Sequence, residues 1–150
     1  MENEGPRKPL VLHVEDDDGS AFLLSLVLRD QGVDADVVRV CDGEEALRFI
    51  AGRYSVSEDR RPSVVVLDLN LPKKSGHEVL CDIREATAGW DLPVIIFTAS
   101  NRPVDREKAL SFGANRYIQK SLNLDGFIAV SQQVLEYVSS RPSAGPGKQS

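Results

Sequence analysis

Four short apolar runs, 10–14 (LVLHV), 37–40 (VVRV), 64–67 (VVVL) and 94–97 (VIIF), and a weaker fifth, 115–119 (NRYIQ), are separated by stretches long enough to hold a helix. This alternation constrains the chain more than anything else in it. Runs of four or five apolar residues bounded by polar ones read as strands, and the uninterrupted β-branched run at 64–66 reads as a strand covered on both faces. The intervening stretches carry helical spacing. Phe22, Leu23, Leu26 and Val27 share a stripe of a helix over about 19–31, which Gly32 stops. Asp42 can cap a second helix facing inward with Ala46, Leu47 and Ile50. Ser75 and Glu78 form a capping-box pattern ahead of a third helix that carries Val79, Leu80 and Ile83. A fourth fits 103–112 with Gly113 as its stop. The fifth, with Phe127, Val130 and Val134 on one face, runs to about Tyr137.

Strands that alternate with helices favour a parallel sheet, because parallel neighbours need crossover connections, and right-handed crossovers place helices on both sides. The expected architecture is α/β: a flavodoxin-like, doubly wound (βα)5 sheet of strand order 2-1-3-4-5. One domain over 9–138 suits the 150 residues. Residues 1–8 are expected to be a flexible segment and 53–62 a long polar surface loop. From about Ser139 the chain turns to Ser, Pro, Gly and Lys, too poor in apolar groups to offset its ordering entropy, so 139–150 is expected to be a disordered tail.

Several function classes are disfavoured by composition. The net charge of −5 lacks the positive excess used to bind nucleic acid directly. No apolar run approaches the roughly 20 residues of a membrane span, and Glu2, Asn3 and Glu4 do not open a secretory signal, so a cytoplasmic location is expected. Cys41 and Cys81 match no metal motif and are expected to be free thiols. His13, inside an apolar run, reads as a packed imidazole, and two scattered histidines make no metal site.

In a sheet of this order, ligands bind beyond the carboxyl ends of the strands where the order reverses. Strand one ends in Glu15 and Asp16, strand three in Asp68, strand four in Thr98 and strand five in Lys120. Three carboxylates gathered there repel one another, and a hard divalent cation with oxygen ligands removes the conflict; Mg²⁺ is the expected cofactor. A carboxylate such as Asp68 can attack a phosphoryl group if the equatorial oxygens are neutralised, which Mg²⁺ and Lys120 would do. The Thr98 hydroxyl and the backbone N–H groups after Asp68 and Thr98 would complete the cradle. No general base is needed, since a carboxylate is already ionised at neutral pH. Taken singly, each residue has a blander explanation; acids after a strand are often caps or solvated loop groups, as Asp18 is read here. The specificity lies in the combination.

With those residues in place, the sequence resembles the response-regulator receiver family over about 9–138, through LVLHVEDD (10–17), VVVLDLNLPKKSG (64–76), VIIFTAS (94–100) and GANRYIQKS (113–121). The resemblance implies that Asp68 is the phosphoacceptor, that Asp16 binds Mg²⁺ directly with Glu15 acting through water, and that Asn70 offers a backbone carbonyl to the metal. It makes Thr98 and Tyr117 a switch pair and Lys120 the phosphate-binding lysine. It further implies a regulatory protein rather than an enzyme, one that catalyses only its own phosphorylation and dephosphorylation and takes phosphate from a histidine kinase. DLNLPKKSG, the loop at 53–62 and KSLNLDGF look most like single-domain regulators serving phytochrome-type kinases, which often form homodimers through helix 4, strand 5 and helix 5.

Two positions depart from the family pattern. Glu15 replaces an aspartate, and Ser121 stands where the family usually has proline, often joined through a cis bond; before a non-proline residue such a bond costs about 3–4 kcal/mol. Either Lys120 is held less firmly or its following bond is trans. These departures are the only support for an alternative, a pseudo-receiver that binds partners without phosphorylation. An aspartyl-phosphate phosphatase would need a second carboxylate at position 70, which is Asn, and a nucleotide-binding protein would want a glycine-rich loop after strand one.

Overall fold

The computed structural model of the protein describes residues 8–52 and 61–140. It alternates strands and helices throughout: β1 (Leu10–Val14), α1 (Asp18–Asp30), β2 (Asp36–Val40), α2 (Gly43–Ile50), β3 (Val64–Leu67), α3 (Gly76–Ala86), β4 (Val94–Thr98), α4 (Pro103–Ser111), β5 (Arg116–Gln119) and α5 (Asp125–Ser140). The five strands form one parallel sheet, as the alternation demands, in the expected order β2-β1-β3-β4-β5.

Successive strand residues point to opposite faces, so each apolar run feeds two cores. Leu10, Leu12 and Val14 of β1, with Val65 and Leu67 of β3, pack under α2, α3 and α4 against Ala46, Phe49, Val79, Leu80, Ile83 and Ala109. Val11, Val64 and Val66, with Ile95 and Phe97, face α1 and α5 through Leu24, Leu28, Phe127, Val130 and Val134. The central strands β1, β3 and β4 are buried along their whole length, whereas β2 and β5 at the edges are only partly covered.

Three local expectations change. On α1 the buried residues are Leu24, Val27 and Leu28, while Phe22 and Leu26 are 65% and 40% exposed. Apolar residues occur almost all round this helix, so spacing alone does not select the stripe; docking against the sheet and α5 does. The α1 cap is Asp17, whose side chain accepts from the Ser20 N–H, and Asp18 is the first helical residue, with a solvent-facing side chain paired to Arg39. In α2 the deeply buried anchor is Phe49, beside Ala46. The capping box of Ser75 and Glu78 is formed as read.

The expected flexible segment 1–8 and disordered tail 139–150 fall outside the described residues except for Lys8, Ser139 and Ser140, as does 53–60 of the expected surface loop. Ser139 and Ser140 belong to α5, which Val138, packed on the α1 side of the sheet, carries past the expected end.

Candidate functional site

Acids and a lysine meet at the carboxyl ends of β1, β3 and β5. The parallel register puts Val14 beside Leu67, so the residues that follow, Glu15 and Asp68, leave the sheet side by side. Glu15 is 1% and Asp68 5% exposed. Between them lies Lys120, just past β5, whose Nζ is 2.7 Å from Glu15 Oε1 and 3.1 Å from Asp68 Oδ2. It also reaches Ser20 Oγ on α1 at 3.4 Å and lies 5.6 Å from the centre of the Phe97 ring.

The remaining carboxylate oxygens are held by backbone donors. Asp68 Oδ1 accepts from the Asn70 N–H at 3.1 Å, and Glu15 Oε2 from the Asp17 N–H at 3.1 Å. Burial pushes the Glu15 carboxyl above its ordinary pKa, and the neighbouring Asp68 charge adds to this, against the pull of Lys120. Burial also works against the Lys120 charge, but the hydrogen bond to Glu15 and the charge of Asp68 outweigh it and hold the ammonium above its ordinary pKa. Lys120 is therefore the fixed positive centre of the site.

Position 76 sets how closely the loop after β3 can fold back. The Gly76 N–H donates to the Leu69 carbonyl, and a Cβ at Gly76 would stand 2.3 Å from the Asp68 carbonyl oxygen. Only glycine lets α3 start against the backbone of Asp68.

Thr98 ends β4 fully buried, and its carbonyl accepts from the Lys120 N–H at 2.7 Å. The half-buried Tyr117 ring packs against the core under α2, α3 and α4, and its hydroxyl donates to the Ser100 carbonyl at 3.1 Å. Ser100 Oγ in turn donates to Asp105 Oδ2 at 2.6 Å, and the other Asp105 oxygen meets His77 Nε2 at 3.2 Å. The expected switch pair is thereby joined to the β4–α4 loop, α4 and α3.

The structure brings Glu15, Asp68 and Lys120 into direct contact, but it does not assemble the expected metal ligands into a finished cage. Among the described residues no group of three or more His, Cys, Asp or Glu side chains is arranged to hold a metal. Glu15 is turned onto Lys120, while Asp16 and Asn70 are exposed at the mouth. The donor set still suits a hard divalent cation: it is all oxygen, and with the carboxylates ionised, Glu15, Asp16 and Asp68 against one ammonium leave two negative charges in excess.

Sequence reasoning missed Arg39 and Ser20. Arg39 donates through Nε to the Glu15 carbonyl at 2.7 Å and pairs with Asp18 at 2.9 Å, so it braces the acidic loop from β2. An arginine inside the strand DVVRV was the available signal. His13 is 1% exposed, as a packed imidazole should be; among the described residues its Nδ1 has no hydrogen-bond partner. Cys41 and Cys81 are free and exposed. No helix among the described residues is long and apolar enough to cross a membrane.

Residues 11–132 match the family model described as the response regulator receiver domain. The response regulator Rcp1 of Synechocystis sp. is 31% identical over 134 residues, covering 89% of this chain and 91% of Rcp1. Among solved structures, that of the phosphorylated cyanobacterial phytochrome response regulator RcpA is similar at a TM-score of 0.76 and 31% identity, covering 89% of this chain and 95% of RcpA. The Mn²⁺-bound form of Rcp1 is similar at a TM-score of 0.75 and 29% identity, covering 89% and 97%.

Proposed function

Because the chain belongs to the response regulator receiver domain family, we propose that it is a phosphorylation switch in which Asp68 accepts a phosphoryl group from the phosphohistidine of a histidine kinase. The observation that carries this reading is the buried Asp68 carboxylate at the end of the central strand β3, 3.1 Å from the Lys120 ammonium. A carboxylate oxygen of Asp68 attacks phosphorus in line, the O–P bond forms as the P–N bond breaks, and the electron pair returns to the imidazole, which takes a proton from solvent. Lys120 offsets negative charge on the phosphoryl oxygens, and the Asn70 N–H holds the attacking carboxylate. Asp16, Asp68 and the Asn70 carbonyl would hold Mg²⁺, with Glu15 acting through water; once bound, the ion supplies the remaining charge neutralisation.

The protein is a regulator that catalyses only its own phosphorylation and dephosphorylation. Its signal leaves through Thr98 and Tyr117, since Tyr117 is bonded to the β4–α4 loop that a moving Thr98 would drag. The similarity to RcpA supports a phytochrome-type kinase as the donor. A homodimer through α4, β5 and α5 is supported by the exposed Val104 and Leu110 on α4. The acidic net charge argues against direct DNA binding, and the protein acts in the cytoplasm without a membrane partner.

The test is incubation with acetyl phosphate, with and without Mg²⁺, followed by intact mass measurement of the wild type and Asp68→Asn. The wild type alone should gain one phosphoryl group, and only with Mg²⁺. Labelling of Asp68→Asn would refute the assignment.

A further inference from the structure

Ser121 stands where the family usually carries proline, yet the lysine before it is well placed. Among the described residues no peptide bond is cis, so the Lys120–Ser121 bond is trans. The turn from β5 to α5 is closed by side chains instead. Ser121 Oγ donates to Asn123 Oδ1 at 2.9 Å and accepts from the Gly126 N–H at 3.1 Å. Asn123 Oδ1 also accepts from the Asp125 N–H at 2.9 Å, at the first turn of α5. Gly126 lies directly on the strand end: a Cβ there would be 2.6 Å from the Gln119 carbonyl oxygen and 3.4 Å from the Lys120 Cα. The start of α5 is thus stitched over the backbone that carries Lys120.

We propose that Ser121 is a positioning residue for Lys120: its hydroxyl, with the Asn123 amide, pins the turn so that the ammonium stays on Glu15 and Asp68. This rests on the reading of Asp68 and Lys120 given above. Lys120 has a long, flexible stem, and a proline would restrict its root covalently. Here two side-chain hydrogen bonds and the close seat of Gly126 restrict it instead.

The experiment compares wild type, Ser121→Ala, Asn123→Ala and Ser121→Thr, which keeps the hydroxyl. With acetyl phosphate and saturating Mg²⁺, Ser121→Ala and Asn123→Ala should slow phosphoryl uptake about tenfold, short of the roughly hundredfold that a misplacement of about 1 Å can cost. Thermal midpoints and Mg²⁺ affinity by calorimetry should stay near wild type, and Ser121→Thr should restore the rate. Independently of phosphate, the ¹⁵N-edited NMR signal of the Lys120 ammonium should shift in the two alanine variants and return in the threonine variant. An unchanged ammonium signal with wild-type uptake overturns the proposal. So does a loss that threonine does not rescue, or one that follows the thermal midpoint. A wild type that takes up no phosphoryl group overturns the phosphoacceptor reading instead, and the ammonium signal then decides on Ser121 by itself.

Discussion

His13 should make the protein lose stability between pH 7 and pH 5. It lies on β1, fully buried, and burial, together with the nearby Lys120 charge and a smaller push from Arg39, lowers its pKa to about 3, against an opposing pull from Asp68. In the unfolded chain the imidazole titrates near 6.5. As pH falls below that value the unfolded state takes up a proton that the native state refuses, so stability falls with it, down to the native pKa. From pH 7 to pH 5 the loss attributable to His13 is about 2 kcal/mol, a proton-linked slope of about 1.4 kcal/mol per unit once the unfolded histidine is mostly protonated. Glu15 works in the opposite sense: its raised pKa contributes stability at low pH that is lost as pH rises through the folded value. That contribution is common to both proteins if wild type is compared with His13→Leu. Urea unfolding followed by Trp90 fluorescence, in metal-free buffer at pH 7, 6 and 5, gives both curves. The difference between the two proteins should change by about 2 kcal/mol in favour of His13→Leu on going from pH 7 to pH 5. Parallel pH profiles would refute the reasoning, because they would mean that the native imidazole takes up its proton as readily as the unfolded one.

Gly76→Ala should destabilise the fold by about 1–3 kcal/mol, the usual cost of overpacking, and slow phosphoryl uptake, because the new Cβ would press on the Asp68 carbonyl. Denaturant midpoints and acetyl-phosphate labelling check the two effects, and a variant normal in both would disprove the close contact. Arg84 donates to the Leu92 and Gly113 carbonyls and to Asn115 Oδ1, joining α3 to the ends of β4 and β5. Arg84→Ala should cost roughly 2–4 kcal/mol by leaving these acceptors without their charged donor. A loss below about 0.5 kcal/mol, the range of ordinary surface substitutions, would show that water replaces the arginine.

The alternation of strands and helices and the ends of the strands were legible in the sequence, because they rest on local signals: β-branched runs, helical spacing, and the Ser75 and Asp42 caps; the strand order was expected only from the doubly wound topology such alternation commonly takes, since which strands pair is not a local property. Glu15, Asp68 and Lys120 could be named as neighbours for the same reason, since a parallel sheet collects the carboxyl ends of its strands on one side. How they pair was decided only by the tertiary structure. Lys120 bridges to residues 105 and 52 positions away, and burial makes Glu15, rather than the exposed Asp16, its nearest partner. The inward stripe of α1 and the weight of Phe49 depended on which surface each helix met. Arg39, Arg84 and Ser121 act through individual hydrogen bonds to backbone and side-chain groups, which leave no periodicity in a sequence to read. Local preference writes the elements; burial and long-range contact decide which charges face one another and what holds them there.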